Sequence, residues 1–315
     1  PNIVAPPVSA LVSPIQEEHL WYPSVCILAS PATQPPSRRV LLDSPVSSLY
    51  GLSMANIDKH APGTFCWIEL ATTDQAAAKG FYNSLFGWSP NDSPMGPGQV
   101  YTIFQLEGRA AAAAFTLRPE ELSKGIPPYW GLYIAVDSAD DTARRASELS
   151  GKVIEGPFDV MEAGRMAVIQ DPTGAIFSIW QPKANAGTGV TGVDGTLCWA
   201  DLSTPDTARA SEFYSKLFGW QIAAEEKDPS GYLHIKSGDQ FIGGVPPAAH
   251  RPPNAPPHWL PYFLVSDCDS AANRAKENGA SFHLAPMTME GVGRMAVIAD
   301  PQRAVFALFQ PSRHS

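Results

Sequence analysis

An acid follows a tryptophan by two residues at two places in the 315-residue chain, as Trp67-Ile68-Glu69 and as Trp199-Ala200-Asp201. A carboxylate desolvated beside indole rings has a raised pKa, which suits it to take up a proton as a general base. Glu69 and Asp201 are therefore the candidate catalytic residues. Both stand in short alternating segments, "CWIEL" and "CWADL", that read as strands. Side chains alternate across a strand, so Trp67 shares a face with Glu69, and Trp199 with Asp201, while Cys66, Ile68 and Leu70 pack under a helix. Complete burial of an unpaired carboxylate is costly, so an acid at both places implies an open, polar-floored cavity. A structural ion pair to Arg165 or Arg294, each in the repeated "GRMAVI", is the competing account. Indole filling the cavity as plain core is another.

The elements that position these residues are written twice. "CWIELATTDQAAAKGFYNSLFGW" (66–88) and "CWADLSTPDTARASEFYSKLFGW" (198–220) agree at thirteen of twenty-three positions. In each copy a strand ends at an N-capping aspartate, Asp74 or Asp206. The helix that follows carries aromatic residues at helical spacing and stops at Gly87 or Gly219. Trp88 and Trp220 are expected in the core, and Tyr133 and Tyr262 against the helix layer. Further strand–helix pairs begin at "WGLYIAV" and "WLPYFLVS", and both copies close on hairpins, "GRMAVIQDPTGAIFSIWQP" and "GRMAVIADPQRAVFALFQP". Each copy thus comprises two strand–helix–three-strand modules.

This divides the chain into a Pro- and Ser-rich extension over 1–60, disordered or foreign to the fold, and a first domain over 61–183. A Gly-rich linker over 184–192 and a second domain over 193–312 follow. The net charge of −9 argues against nucleic acid or an anionic membrane surface as partner. No apolar run approaches the length of a membrane span. Four cysteines lack metal or redox spacing, which fits reduced thiols and a cytoplasmic setting. Self-association to a homodimer stays open.

The order of elements, with "FY..LFGW" and "GRMAVI.DP" in both copies, resembles the vicinal oxygen chelate superfamily of glyoxalases, bleomycin-resistance proteins and extradiol dioxygenases. More narrowly it resembles two-domain glyoxalase-like bacterial members of the mycobacterial 27-kDa antigen type. The resemblance implies an α+β fold in which four βαβββ modules form two open, curved-sheet barrels. It also implies metal ligands seven residues before each helix start, and a carboxylate on each closing strand. With helices starting at Asp74, Asp137, Asp206 and Ser266, that register falls on Trp67, Trp130, Trp199 and Trp259. The closing-strand position falls on Ser178 and Ala307. None of these suits a divalent ion, and residues 61–183 contain no histidine.

The expectation is therefore no metal and no cofactor, and a small organic molecule as partner. Its cavities would be lined by Trp67, Glu69, Trp130, Ser178 and Trp180 in one copy, and by Trp199, Asp201, Trp259 and Phe309 in the other. A metal-dependent glyoxalase-like lyase or dioxygenase, and a non-catalytic interaction module, stay open as alternatives.

Overall fold

Asp74 and Asp206 cap two helices of identical length, and from these helices the architecture can be built outward. The computed structural model describes residues 55–96, 98–225, 228, 230–251 and 255–312. The extension expected over 1–60 lies, as far as residue 54, outside the described residues. Strand β1 (Ala55–Asn56) precedes the first module, which runs β2 (Phe65–Thr72), α1 (Gln75–Phe86), β3 (Ser89–Gly96), β4 (Gln99–Leu106) and β5 (Arg109–Thr116). After a short helix, α2 (Pro119–Ser123), the second module runs β6 (Tyr129–Ala135), α3 (Ala139–Glu148), β7 (Lys152–Val160), β8 (Gly164–Gln170) and β9 (Ile176–Pro182). Strand β10 (Val190–Thr191) pairs back with β1.

The third module is β11 (Leu197–Ser203), α4 (Thr207–Phe218), β12 (Gln221–Ala224), β13 (Leu233–Ser237) and β14 (Gln240–Val245). The fourth is β15 (His258–Leu264), α5 (Cys268–Glu277), β16 (Ser281–Met289), β17 (Gly293–Ala299) and β18 (Val305–Pro311). The chain is α+β, with four βαβββ modules in two open eight-stranded sheets. Their orders are β3-β4-β5-β2-β6-β9-β8-β7 and β12-β13-β14-β11-β15-β18-β17-β16. In each sheet the first strands of the two modules lie antiparallel at the centre, flanked by the parallel closing strands.

Helix starts and stops follow local chemistry. The Asp74 carboxylate accepts from the Ala77 amide, the Asp206 carboxylate from Arg209, the Ser138 hydroxyl from Asp141 and the Asp267 carboxylate from Ser270. Gly87 and Gly219 end α1 and α4 in the left-handed conformation, at φ 72° and 74°. The Asp171 and Asp300 carboxylates each gather amide donors from the turn that follows. Arg303 holds φ +83° where the first copy has Gly174.

The repeated aromatic helices explain how two sheets share one core. From α1 and the residues after it, Phe86 and Trp88 pack against Phe263, and Tyr82 and Phe86 against Phe306. Phe213, Tyr214 and Phe218 of α4 pack on Phe177 in return. The polar tips of these rings are satisfied reciprocally. Tyr82 donates to Asp300 at 2.9 Å and Tyr214 to Asp171 at 3.0 Å, while the Trp88 indole donates to the Gly195 carbonyl and the Trp220 indole to that of Gly63. Trp88 and Trp220 are fully buried, as core residues should be.

Candidate functional site

Along β2, Trp67 and Glu69 do share a face, and that face is turned away from α1. A register irregularity between Phe65 and Trp67 sets Cys66 among the same cleft residues rather than under the helix. Ile68 and Leu70 belong to the shared core. Directly opposite on β6, Glu69 faces Gly131 and Trp67 faces Tyr133. The second sheet repeats the arrangement, with Asp201 opposite Leu260 and Trp199 opposite Tyr262.

Both carboxylates are buried, and each is gripped by two phenols. Tyr101 donates to Glu69 Oε2 at 2.6 Å and Tyr133 to Oε1 at 3.1 Å. Tyr232 donates to Asp201 Oδ1 and Tyr262 to Oδ2, the latter at 2.7 Å. The indoles complete the network: Trp67 Nε1 donates to Tyr101 at 3.3 Å, and Trp199 Nε1 to Tyr232 at 2.8 Å and to Asp201 at 3.1 Å. These donors are what make a buried acid tolerable. Burial pushes the Asp201 carboxyl above the usual carboxylate range, and the bonds from Tyr232, Tyr262 and Trp199 pull against it. Burial, with the neighbouring carboxylate, drives the Tyr101, Tyr133 and Tyr232 phenols upward, so all three stay protonated donors.

Two expected cavity residues are not in the clefts. Trp130 and Trp259 lie on the opposite face of their strands, in the shared core, donating to the Tyr82 and Tyr214 hydroxyls. Helices α3 and α5 are capped by Ser138 and Asp267, one residue later than Asp137 and Ser266. Seven residues before the true caps stand Gly131 and Leu260. A slip of one residue on a strand reverses the face, which also corrects the expectation that Tyr133 and Tyr262 lie against the helices. Both reach into the clefts. Ser178 pairs with Tyr133 and Ala307 with Tyr262, on the cleft faces of the closing strands, and Trp180 and Phe309 lie two residues further along. Neither arginine reaches a cleft acid. Arg165 pairs bidentately with Asp140, and Arg294 with Asp269, on exposed helix starts.

The first cleft encloses a cavity of about 20 Å³, room for a water molecule, between Trp67, Glu69, Tyr101, Tyr133, Met166 and Trp180. Asn185 and Gly187 lie over it. This strap is held by the Trp180 indole, which donates to the Asn185 carbonyl, and by the Thr188 amide, which donates to the Cys66 carbonyl at 2.8 Å. His60 Nε2 lies 2.9 Å from the Thr188 carbonyl. A side chain on Gly187, at φ 122°, would collide with the Cys66 carbonyl.

The ligand positions of a metal centre do not fit a divalent ion. Indole, glycine and leucine stand seven residues before the caps, and serine and alanine on the closing strands. Among the described residues no three His, Cys, Asp or Glu side chains come together to hold a metal. Tyr101 and Tyr232 are not among the residues expected at the site, and neither is His234. Their signal was the matched "VYTI" and "YLHI" segments, which place Tyr101 and Tyr232 at equivalent points, with Ile103 where the second copy has His234.

The Glyoxalase/Bleomycin resistance protein/Dioxygenase superfamily matches residues 64–179 and 196–308. A Mycobacterium tuberculosis protein named "Putative glyoxylase CFP32" is 39% identical over 267 residues, covering 82% of this chain and 99% of its own. The anthracycline biosynthesis protein DnrV of Streptomyces peucetius is 34% identical over 267 residues, covering 80% and 94%. Among solved structures, the Mn(II)-bound glyoxalase from Novosphingobium aromaticivorans superposes with a TM-score of 0.57 at 15% identity, covering 79% of this chain and 82% of its own. No helix among the described residues is long and apolar enough to cross a membrane. With both sheets matched, the chain belongs to the Glyoxalase/Bleomycin resistance protein/Dioxygenase superfamily.

Proposed function

We propose that the chain binds a small organic molecule, or turns one over, in its clefts without the metal that serves the superfamily's dioxygenases. One observation carries the reading. At the first-strand ligand register both copies have an indole, and two residues on both have a carboxylate held by two phenols and, in the second copy, by the indole as well. Coordinating groups have been replaced by an aromatic, hydrogen-bonding floor, and such floors orient organic ligands. The 34% identical relative is named for anthracycline biosynthesis, which associates a sequence of this kind with aromatic small molecules. If there is chemistry, Glu69 or Asp201 is the group to hold the proton, passed through a tyrosine hydroxyl.

The test is a screen of small aromatic ligands by tryptophan fluorescence, run with and without a strong chelator. Three of the eight tryptophans, Trp67, Trp180 and Trp199, stand in the clefts, so binding changes emission. Equal affinities in both buffers, with far less than one equivalent of metal by elemental analysis, are expected. The metal-dependent lyase or dioxygenase reading draws on the 39% identical relative's name. Affinity or turnover that tracks a bound metal would establish it and defeat the proposal.

A further inference from the structure

The two clefts are not equivalent, and the difference lies at matched positions. In the first, Cys66, Trp67 and Tyr101 are almost wholly buried at 1%, 6% and 3% exposure, beneath the Asn185–Thr188 strap. In the second, Cys198, Trp199 and Tyr232 are all half-buried. Strand pairing also exchanges one residue. Asp201 stands opposite Gly244, which stands opposite His234, whereas Glu69 stands opposite Ala113, which stands opposite Ile103. His234 therefore shares the cleft face with Asp201. Its ring sits among Tyr232, Phe241 and Trp199, with centroids 5.0, 5.5 and 6.3 Å away, each edge to face. His234 Nδ1 is buried and meets no hydrogen-bonding partner among the described residues. A buried polar nitrogen left in a cage of rings is costly, and such groups normally have a partner.

We infer that the second cleft is the ligand site, and that it takes a planar aromatic molecule whose ring hydroxyl bonds His234 Nδ1 while the ring packs against Trp199 and Phe241. The inference deepens the proposed function and rests on it. A hydroxyl is the fitting group because it both donates and accepts, so it satisfies either imidazole tautomer. Ring edges and faces favour a flat partner. The Asp201 carboxylate in the same cleft disfavours a ring that carries its own carboxylate. The first cleft, strapped and with Ile103 at the matched place, is a support for the fold.

The experiment titrates the full chain with 2-naphthol and with naphthalene, which lacks the hydroxyl. 2-Naphthol is expected to bind at least tenfold more tightly. His234→Ile, which copies the first cleft, removes that preference and leaves naphthalene unchanged. His234→Asn, which keeps a polar atom near the Nδ1 position, retains most of it. Circular dichroism confirms that each variant is folded, and Ile103→Val in the first cleft leaves both affinities unchanged. A preference for 2-naphthol that survives His234→Ile, or that moves with Ile103→Val, overturns the assignment while leaving small-molecule binding intact. No binding of any aromatic compound by the parent overturns both readings.

Discussion

At Gly244 a single hydrogen atom in place of a side chain lets a phenol reach an acid. A Cβ built there would land on the Tyr232 ring and hydroxyl, the group that donates to Asp201. In the first sheet the matched residue is Ala113, and Tyr101 reaches Glu69 by a path that tolerates the methyl. Gly244→Ala is expected to drive Tyr232 off Asp201 and lower stability by about 1–3 kcal/mol, the range for leaving a buried acceptor short of a donor. Chemical denaturation measures it, and an unchanged midpoint would show that the phenol is not needed. Residue-scale reading of the sequence succeeded where alternation alone decided, as for Trp67 with Glu69. It failed for Trp130 and Trp259, because whether Asp137 or Ser138 caps α3 depends on a side chain–amide bond that "VDSAD" permits at either place.

At the scale of elements, the strap over the first cleft has a built-in pH dependence. Burial holds the His60 imidazole below its ordinary 6.5, although its bond to the Thr188 carbonyl works the other way. The folded state thus prefers the neutral ring. The stability it contributes is present above 6.5 and is lost as pH falls through the lowered folded value. Amide exchange at Thr188, corrected for the intrinsic rate, is expected to accelerate between about pH 7 and about pH 5. His60→Gln should flatten that profile, and a flat profile in the parent would remove His60 from the strap. The strap was not legible beforehand. "KANAGTGVTGVDG" reads as a flexible Gly-rich linker, and only the three-dimensional position of the Cys66 carbonyl reveals what Gly187 and Thr188 are for.

For the whole molecule, the shared core decides how it unfolds. Phe86, Trp88, Phe263 and Phe306 form one aromatic group drawn from both halves of the chain, and the Tyr82–Asp300 and Tyr214–Asp171 bonds tie each helix to the other sheet's turn. Separation of the halves would expose these rings to water. Calorimetry is therefore expected to record one cooperative transition, with calorimetric and van't Hoff enthalpies equal. Two resolved transitions would show that each sheet carries its own stability. The sequence made the repeat, and with it the fold, plain. It could not show that the two "FY..LFGW" helices serve each other's sheets, since self-similarity says which units recur and not which partner each one meets.

That reciprocity gives the two halves the relation of paired subunits. Tyr82 meets Asp300 as Tyr214 meets Asp171, and Trp88 meets Gly195 as Trp220 meets Gly63. Contacts of this i-to-j, j-to-i kind are those of an isologous twofold dimer, so the two halves meet within one chain as two subunits of such a dimer would. Two copies need one tether, and a tether runs past one copy's cleft without passing the other. The tether itself thereby makes the halves unequal, with Glu69 beneath it and Asp201 in the cleft it does not pass.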